Sequence, residues 1–168
     1  MTLHIRPERP ADIAAIRLVV IAAFKDVLYS HQTEADIVDA LRAAGALAVS
    51  VVAADRDDVV GHVAFSPIRI AQARGDWYGI GPVAVRPDRQ KRGIGQALIT
   101  EGLRCLSSLR AAGCVVLGDP RYYHRFGFEA DPELTYGGKP SPYFQRLILN
   151  GPLASGEVNY HAAFGSGQ

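Results

Sequence analysis

Cysteine is scarce in this sequence, which has Cys105 and Cys114 as its two thiols among 168 residues. Two cysteines cannot form the disulfide framework of a small secreted protein, and their spacing does not match a metal-ligand pattern. Two reduced, buried thiols are the simpler interpretation, and we expect no bound metal. The first residues lack the apolar segment of a signal peptide, and no later run is apolar for long enough to cross a bilayer. We therefore expect a cytoplasmic protein without a membrane partner.

An excess of charge of either sign is also missing. The chain has 18 Lys and Arg residues against 17 Asp and Glu, which gives a formal net charge of +1. This balance excludes bulk electrostatic attraction to nucleic acid or to acidic membranes, so any anion site must be local. Hydrophobic residues make up 48% and charged residues 21%, as in globular proteins. Because no repeat or linker interrupts the chain, we predict a single domain over residues 1–168.

Both familiar nucleotide-binding loops are absent. The segment Gln90–Gly95 instead reads Q-x-x-G-x-G between a predicted strand and a predicted helix. Gly93 and Gly95 match the first two glycines of the dinucleotide fingerprint, but Leu98 occupies the third position. Glycines let the main chain approach an anion, and the N–H groups of residues 91–97 would converge on it at the helix start. A diphosphate suits this pattern; a solvated basic turn and an RNA-contacting patch are the alternatives.

The strand before this loop changes its pattern. Tyr78 and Ile80 are apolar at even positions, whereas Val83 and Val85 are apolar at odd positions. The change coincides with the Gly-Pro pair at 81–82, and neither residue favours a regular ladder. This predicts a β-bulge that separates the strand from its neighbour and leaves a slot. An irregular edge strand is the alternative.

Strand and helix patterns alternate along the whole chain. They predict strands at Leu3 to Pro7, Leu47 to Ala54, Val59 to Ile70, Trp77 to Val85, Cys114 to Gly118, Tyr143 to Leu149 and Glu157 to Ala162. They predict helices from Pro10 to Phe24, from a Thr33 cap to Gly45, from Ile94 to a closing Gly113, and from Pro120, capped by Asp119, to Gly127. The strand, helix and strand between residues 77 and 118 form a βαβ unit, which predicts a parallel pair.

The loop and a later motif together resemble one family. Q-x-x-G-x-G after a Gly-Pro-Val-Ala-Val strand is similar to the coenzyme A signature of the GNAT superfamily of acyl-CoA N-acyltransferases. The segment Tyr123–Phe128 resembles the family's Tyr-x-x-x-Gly-Phe element, and Leu117–Phe128 resembles bacterial, largely uncharacterised members. The resemblance covers most of the chain and is strongest from Trp77 to Phe128. It implies an α/β GNAT fold: a mixed, mostly antiparallel sheet with a splayed central parallel strand pair, flanked by helices.

The resemblance also implies roles for particular residues, with acetyl-CoA as the cosubstrate. Strand residues Val83, Ala84 and Val85 would lie along the pantetheine arm, with a backbone N–H near Val83 at the acetyl carbonyl. Tyr123 would face the thioester sulfur and act as general acid; a packing tyrosine is the alternative. The pyrophosphate would be held by the turn, whose predicted residues are Gln90, Lys91, Arg92, Gly93, Ile94, Gly95, Gln96 and Ala97.

The general base is harder to assign from the sequence. Many relatives place a Glu on the bulged strand, but this chain has no acid between positions 77 and 85. Glu34 at the start of the second helix is the predicted base, and His62, His124 and Asp119 are the other candidates. Each also has a simpler role: Glu34 and Asp119 as helix-terminal charges, His62 as a satisfied sheet histidine, and His124 as a solvated one.

We therefore predict direct transfer of an acetyl group from acetyl-CoA to a primary amine in a ternary complex. Nothing marks either cysteine as an activated nucleophile, so an acetyl-enzyme is not expected. The acceptor is a small-molecule or peptide amine, and the sequence leaves open its identity and whether the chain forms a homodimer. A non-catalytic CoA-binding or sensing module with the same fold is the alternative. No nucleic-acid partner is expected, although the Arg86 to Arg92 patch keeps an RNA-contacting protein as a second rival.

Overall fold

The fold was examined in a computed structural model that describes residues 2–165. Its helices are α1 (Ile13–Phe24), α2 (Glu34–Ala43), α3 (Ile94–Ser108) and α4 (Pro120–Tyr123). Its strands are β1 (Leu3–Pro7), β2 (Val49–Asp55), β3 (Asp58–Gln72), β4 (Trp77–Val85), β5 (Gly113–Leu117), β6 (Glu129–Ala130), β7 (Leu134–Thr135), β8 (Phe144–Ile148) and β9 (Ser155–Asn159). The contacts of the described residues divide into two compact units, one of residues 2–65 with 81–105 and one of 66–80 with 106–165.

The first unit is built on antiparallel strands. β1 pairs with β2 from Leu3 opposite Asp55 to Pro7 opposite Val51, and β2 pairs in turn with β3. Most residues of β2 are buried on both faces, which explains its almost wholly apolar, β-branched sequence. One core cluster of this unit joins the two N-terminal helices to the sheet; its buried members are Ile16, Val19, Val20, Ala35, Val38, Val52, Val59 and Ala84.

The second unit contains the parallel pair predicted from the βαβ pattern. The ladder joins Trp77–Gly79 of β4 to Gly113–Val115 of β5, while the other edge of β5 pairs antiparallel with β8 along its full length. The second half of β3 pairs antiparallel with β9. β3 and β4 are hydrogen-bonded neighbours, and each contributes residues to both units. The mixed, mostly antiparallel sheet with a parallel pair and flanking helices is confirmed.

The predicted role of Gly113 was wrong. The helix α3 ends at Ser108, and Arg110 takes the left-handed conformation (φ +64°) in the turn that follows. Gly113 is instead the first residue of β5. A Cβ atom there would lie 2.5 Å from the Trp77 ring and 2.7 Å from the carbonyl oxygen of Leu147. Close packing between strands, and not the end of a helix, therefore requires this glycine.

A similar close approach predicts an unusual effect of a helix mutation. Replacing glycine by alanine inside a helix normally stabilises a protein by about 0.5–1 kcal/mol. At Gly102 in α3, the added Cβ would overlap the Cε1 and Cζ atoms of Phe65, which is fully buried on β3. We therefore expect Gly102→Ala to lower the free energy of unfolding by about 1–3 kcal/mol, measured by urea denaturation. Thr100→Ala, at an exposed position of the same helix, is the control and should not destabilise; a stabilised Gly102→Ala would contradict the packing.

Candidate active site

The turn from β4 into α3 contains the glycine motif. A short 3-10 turn at Pro87–Arg89 follows the strand, and the helix begins at Ile94. Between them Lys91 (φ +64°) and Gly93 (φ +80°) adopt left-handed backbone conformations, which glycine takes without steric penalty. Among the described residues, no atom lies within 4 Å of a Cβ placed on Gly93. The main chain at this position is therefore open to a ligand.

The start of α3 supplies the donors of an anion site. The first N–H groups of an α-helix have no acceptor inside the helix, and the helix dipole makes this end positive. Ala97 was predicted to donate to the phosphate, but its N–H already donates to the carbonyl oxygen of Gly93 (3.1 Å). The candidate phosphate donors in the turn are thus the main-chain N–H groups of residues 91–95.

The side chain of Gln90 shapes this turn. Its Nε2 atom donates to the carbonyl oxygen of Val85, the last residue of β4, over 3.0 Å. The bond ties the beginning of the turn to the end of the strand. The glutamine of the motif therefore has a local structural partner, and its side chain fixes the path of the backbone.

The basic side chains around the turn differ in whether they already form ion pairs within the protein. Arg89 donates to Asp55 at 2.8 Å, and its hydrogen bond is the largest cause that lowers the pKa of that carboxyl group. Arg86 donates to Asp88 at 2.7 Å. Lys91 and Arg92 are exposed beside the glycines. Two of the four cations that suggested an RNA-contacting patch therefore form ion pairs within the protein, which weakens that alternative.

The burial pattern of β4 changes parity, as the sequence predicted, but earlier in the strand and with other residues facing the core: Tyr78, Val83 and Val85 are only half-buried. Trp77 and Gly79 are buried at odd positions, whereas Pro82 and Ala84 are buried at even positions, and the change falls between Gly79 and Ile80. The ladder with β5 ends at that same Gly79. Regular pairing and regular alternation thus stop together, just before the Gly-Pro pair at 81–82 where the sequence predicts a slot.

Tyr123 is held in place by packing. Asp119 caps α4 by accepting from the N–H of Arg121 (2.9 Å), as predicted, and Gly127 ends the following turn with φ +95°. A Cβ on Gly118, directly after β5, would lie 2.5 Å from Cε2 of Tyr123. The ring also meets Phe128 edge-on, with 5.8 Å between centroids. These contacts fix the half-buried phenol against the end of β5.

A second tyrosine was missed by the sequence analysis. A Cβ on Gly79 would lie 2.6 Å from Cε1 of Tyr160, so this ring lies against the strand position where the parallel ladder ends. It also meets the ring of Tyr136 edge-on at 5.3 Å. Burial raises the pKa of the Tyr160 phenol, with smaller contributions from Cys114, Tyr136 and Tyr123. No local motif marks this residue, because its contacts are made with distant parts of the chain.

The two thiols are not activated. Cys114 is fully buried on β5 and Cys105 is half-buried on α3. Burial is the largest cause that raises the pKa of each thiol, and a raised pKa leaves less of the nucleophilic thiolate. Within residues 2–165, no three His, Cys, Asp or Glu side chains form a cluster that could hold a metal ion. No helix of that same part has the length and apolar character needed to cross a membrane.

Comparison with known proteins decides the family. The family sequence model of the acetyltransferase (GNAT) domain matches residues 47–130 of this chain. The uncharacterized N-acetyltransferase YhbS of Escherichia coli K12 is 36% identical over 167 residues, which cover 95% of this chain and 97% of the relative. The chain belongs to the GNAT acetyltransferase family. A second uncharacterized N-acetyltransferase of E. coli, YjhQ, is 32% identical over 84% of this chain and 76% of its own length.

Solved GNAT structures agree with this assignment. A GNAT family acetyltransferase from Brucella melitensis, crystallised with acetyl-CoA, superposes with a TM-score of 0.86 at 52% identity, covering 97% of this chain and 98% of that one. The E. coli YhbS structure with CoA gives a TM-score of 0.83 at 34% identity, covering 99% and 93%. The GNAT fold predicted from the sequence is confirmed.

The acidic base candidates of this GNAT protein have local partners. Both carboxylate oxygens of Glu34, in the first turn of α2, lie 2.7 Å from the hydroxyl of Ser30. Asp119 caps α4 and pairs with Arg121, whose hydrogen bond lowers the pKa of the carboxyl group. His124 is exposed. Glu34 and Asp119 therefore have the helix-terminal roles that the sequence offered as simpler alternatives.

His62 lies in a buried polar network. Its Nε2 is 2.8 Å from the hydroxyl oxygen of Ser50, whose proton goes to Glu8, and Glu8 in turn accepts two bonds from Arg42 (2.8 and 3.1 Å). Because the single hydroxyl proton is given to the carboxylate, the imidazole must donate from Nε2. Nδ1 is buried without a partner in the described residues. The ring is neutral, and burial lowers its pKa to about 4.

This network predicts how stability depends on pH. An unfolded histidine gains a proton near pH 6.5, whereas folded His62 does so near pH 4. Between these values the unfolded chain binds more protons, so stability falls as the pH falls. From pH 7 to pH 5 the loss should be about 2 kcal/mol, and His62→Leu should remove most of it. Urea unfolding at the two pH values measures the difference.

The range from pH 7 to pH 5 lies above the titration of Glu8, the acidic group of the same network. The pKa of Glu8 is lowered by its bonds to Arg42 and Ser50 against the opposing effect of burial, so its stabilising contribution is lost only at more acidic pH. His4→Gln at an exposed position of β1 is the control and should keep the wild-type pH dependence. An unchanged slope in His62→Leu would show that this histidine is not the neutral buried group described above.

Proposed function

We propose that this protein transfers an acetyl group from acetyl-CoA to a primary amine in a single direct step. The observation that carries the proposal is the glycine turn at the start of α3, with an open backbone at Gly93 beside the first N–H groups of the helix, which have no acceptor within an α-helix. The Brucella melitensis relative, 52% identical, was crystallised with acetyl-CoA, which supports the same ligand here.

In this proposal, main-chain N–H groups of residues 91–95 bind the pyrophosphate. A diphosphate presents several oxygens to several converging donors, and the positive helix end favours its charge. Exposed Lys91 and Arg92 add positive charge nearby, while Gln90 keeps the turn attached to Val85. The strand residues Val83, Ala84 and Val85 lie along the pantetheine arm, as the resemblance implies.

The reaction is a nucleophilic substitution at the thioester carbonyl. The lone pair of the amine forms the new C–N bond, and negative charge develops on the carbonyl oxygen. A fixed backbone N–H near Val83 stabilises that charge without reorganisation. The C–S bond then breaks with its electron pair on sulfur, and the phenol of Tyr123 gives the sulfur a proton. The products are an N-acetyl amine and free CoA.

The attacking amine must also lose a proton to become the neutral N-acetyl product. We propose that Glu34 accepts it through water. A carboxylate has several lone-pair sites, so the hydrogen bond from the single hydroxyl proton of Ser30 does not prevent it from accepting another proton. The raised pKa values of both thiols disfavour a covalent acetyl-cysteine and support direct transfer.

The CoA site is tested by Gly93→Val. A β-branched residue at φ +80° is strained, and its side chain would fill the open space above the turn. We expect the Kd for acetyl-CoA, measured by isothermal titration calorimetry, to rise at least tenfold. Gly45→Val is the matched control, because Gly45 has φ +68° and equally open surroundings at the end of α2. It should lose stability but keep wild-type affinity; wild-type affinity in Gly93→Val would remove the assignment of this turn.

The catalytic step is tested by Tyr123→Phe. Loss of a general acid should lower kcat by about 100-fold, the smaller of the rate effects typical of general acid catalysis. The Kd for acetyl-CoA should stay unchanged. Turnover is measured as free CoA thiol released in the presence of a panel of primary amines. Tyr122→Phe, one residue earlier on α4, is the control and should keep its activity. If acetyl-CoA stabilises the protein but no amine releases CoA, the protein is a CoA-binding module and not an enzyme.

A further inference from the structure

A pocket of the second unit lies at the edge of the sheet where β3 meets the end of β9. Its volume is about 490 Å³, and its lining includes Arg69, Asn159, Tyr160 and His161. Sites for small molecules have volumes of this order. A pocket this size accommodates a small molecule the size of an amino acid or dipeptide.

Tyr160 connects this pocket to the proposed reaction. Its ring lies against Gly79, where the parallel ladder of β4 ends. The charge of Tyr123, the proposed general acid, also contributes to the raised pKa of Tyr160, for which burial is the larger cause. The ring of Tyr160 thus links one wall of the pocket to β4, the strand along which the proposal places the pantetheine arm.

The polar groups of the pocket favour an anion. Arg69 on β3 is directly opposite Asn159 on β9, so the two side chains are neighbours on one face of the sheet. The side chain of Arg69 is exposed, and among the described residues no carboxylate forms an ion pair with it. The N–H of Ala163 donates to Nδ1 of His161 (3.0 Å), which places the proton of the neutral ring on Nε2. The lining contains no Asp or Glu.

From this arrangement we infer that the acceptor is a small primary amine that also carries a carboxylate or a phosphate group, which binds at Arg69. A guanidinium group binds either anion through paired N–H donors. A polyamine or an aminoglycoside, which carries several positive charges, would instead need acidic groups in the pocket. This inference rests on the proposed acetyl transfer and specifies its substrate class.

The first experiment compares matched amines. Phenylalanine and phenethylamine differ by the carboxylate, and phosphoethanolamine and ethanolamine differ by the phosphate. We expect kcat/KM to be at least tenfold higher for the amine that carries the carboxylate or phosphate than for its partner without that group. Arg69→Gln should raise KM for the anionic amine at least tenfold while kcat is nearly unchanged, and Arg74→Gln, an exposed arginine just after β3, is the control. A higher kcat/KM for spermidine than for the amines with an anionic group would overturn the inference and leave acetyl transfer intact. The same holds if Arg69→Gln has the wild-type KM for those amines.

A binding measurement separates this inference from the proposed function. In the presence of CoA, N-acetylphenylalanine should show a saturation-transfer NMR signal that is stronger than that of N-acetylphenethylamine and that is lost in Arg69→Gln. If no amine releases CoA but this signal depends on Arg69, acetyl transfer fails and the anion pocket remains. If the two ligands bind equally in the wild type and in Arg69→Gln, the pocket does not select an anionic group.

Discussion

The start of α3 imposes the constraint on which the proposed site depends. The first N–H groups of an α-helix have no acceptors within the helix, and the chain must satisfy them or offer them to a ligand. Here the left-handed turn at Lys91 and Gly93 brings the backbone to the helix start without a side chain over it. Gln90 attaches that turn to the end of β4, so the anion site and the strand that would guide the pantetheine arm are one continuous piece of chain.

Side-chain charges serve a different purpose from these backbone dipoles. Arg89 pairs with Asp55, and Arg42 pairs with Glu8 in the network that contains His62. These ion pairs join the turn, the helices and the strands of the first unit to one another. An arginine that already has a carboxylate partner gains less from binding a phosphate. In the proposed site, anion recognition would therefore depend mainly on main-chain N–H groups. Arg69 differs from the paired arginines because it lines a pocket without acidic residues.

The sequence predicted those features that depend on local chemistry. The bounds of β4, the Asp119 cap and the glycine at the end of the following turn are each set by residues within a few positions, and the structure has them as predicted. Thr33 precedes α2 but makes no side-chain capping bond. Gly113 and Tyr160 could not be interpreted from their neighbours, because their roles depend on contacts with Trp77 and Gly79, more than thirty positions away. The parity change in β4 was visible in the sequence only as a break in the apolar pattern. The sequence placed it at residues 81–82, whereas in the structure it lies between Gly79 and Ile80.

The two tyrosines near the end of the parallel ladder differ in what they can do. A thiolate is a weaker base than a phenolate, so transfer of a proton from an ordinary tyrosine to the leaving sulfur is already uphill. Burial raises the pKa of Tyr160 further, which makes it the poorer proton donor and keeps its hydroxyl neutral. A neutral hydroxyl can still orient a substrate by hydrogen bonding. Tyr160 is therefore better suited to positioning the acceptor by hydrogen bonding than to protonating the thiolate, the role that the proposal gives to Tyr123.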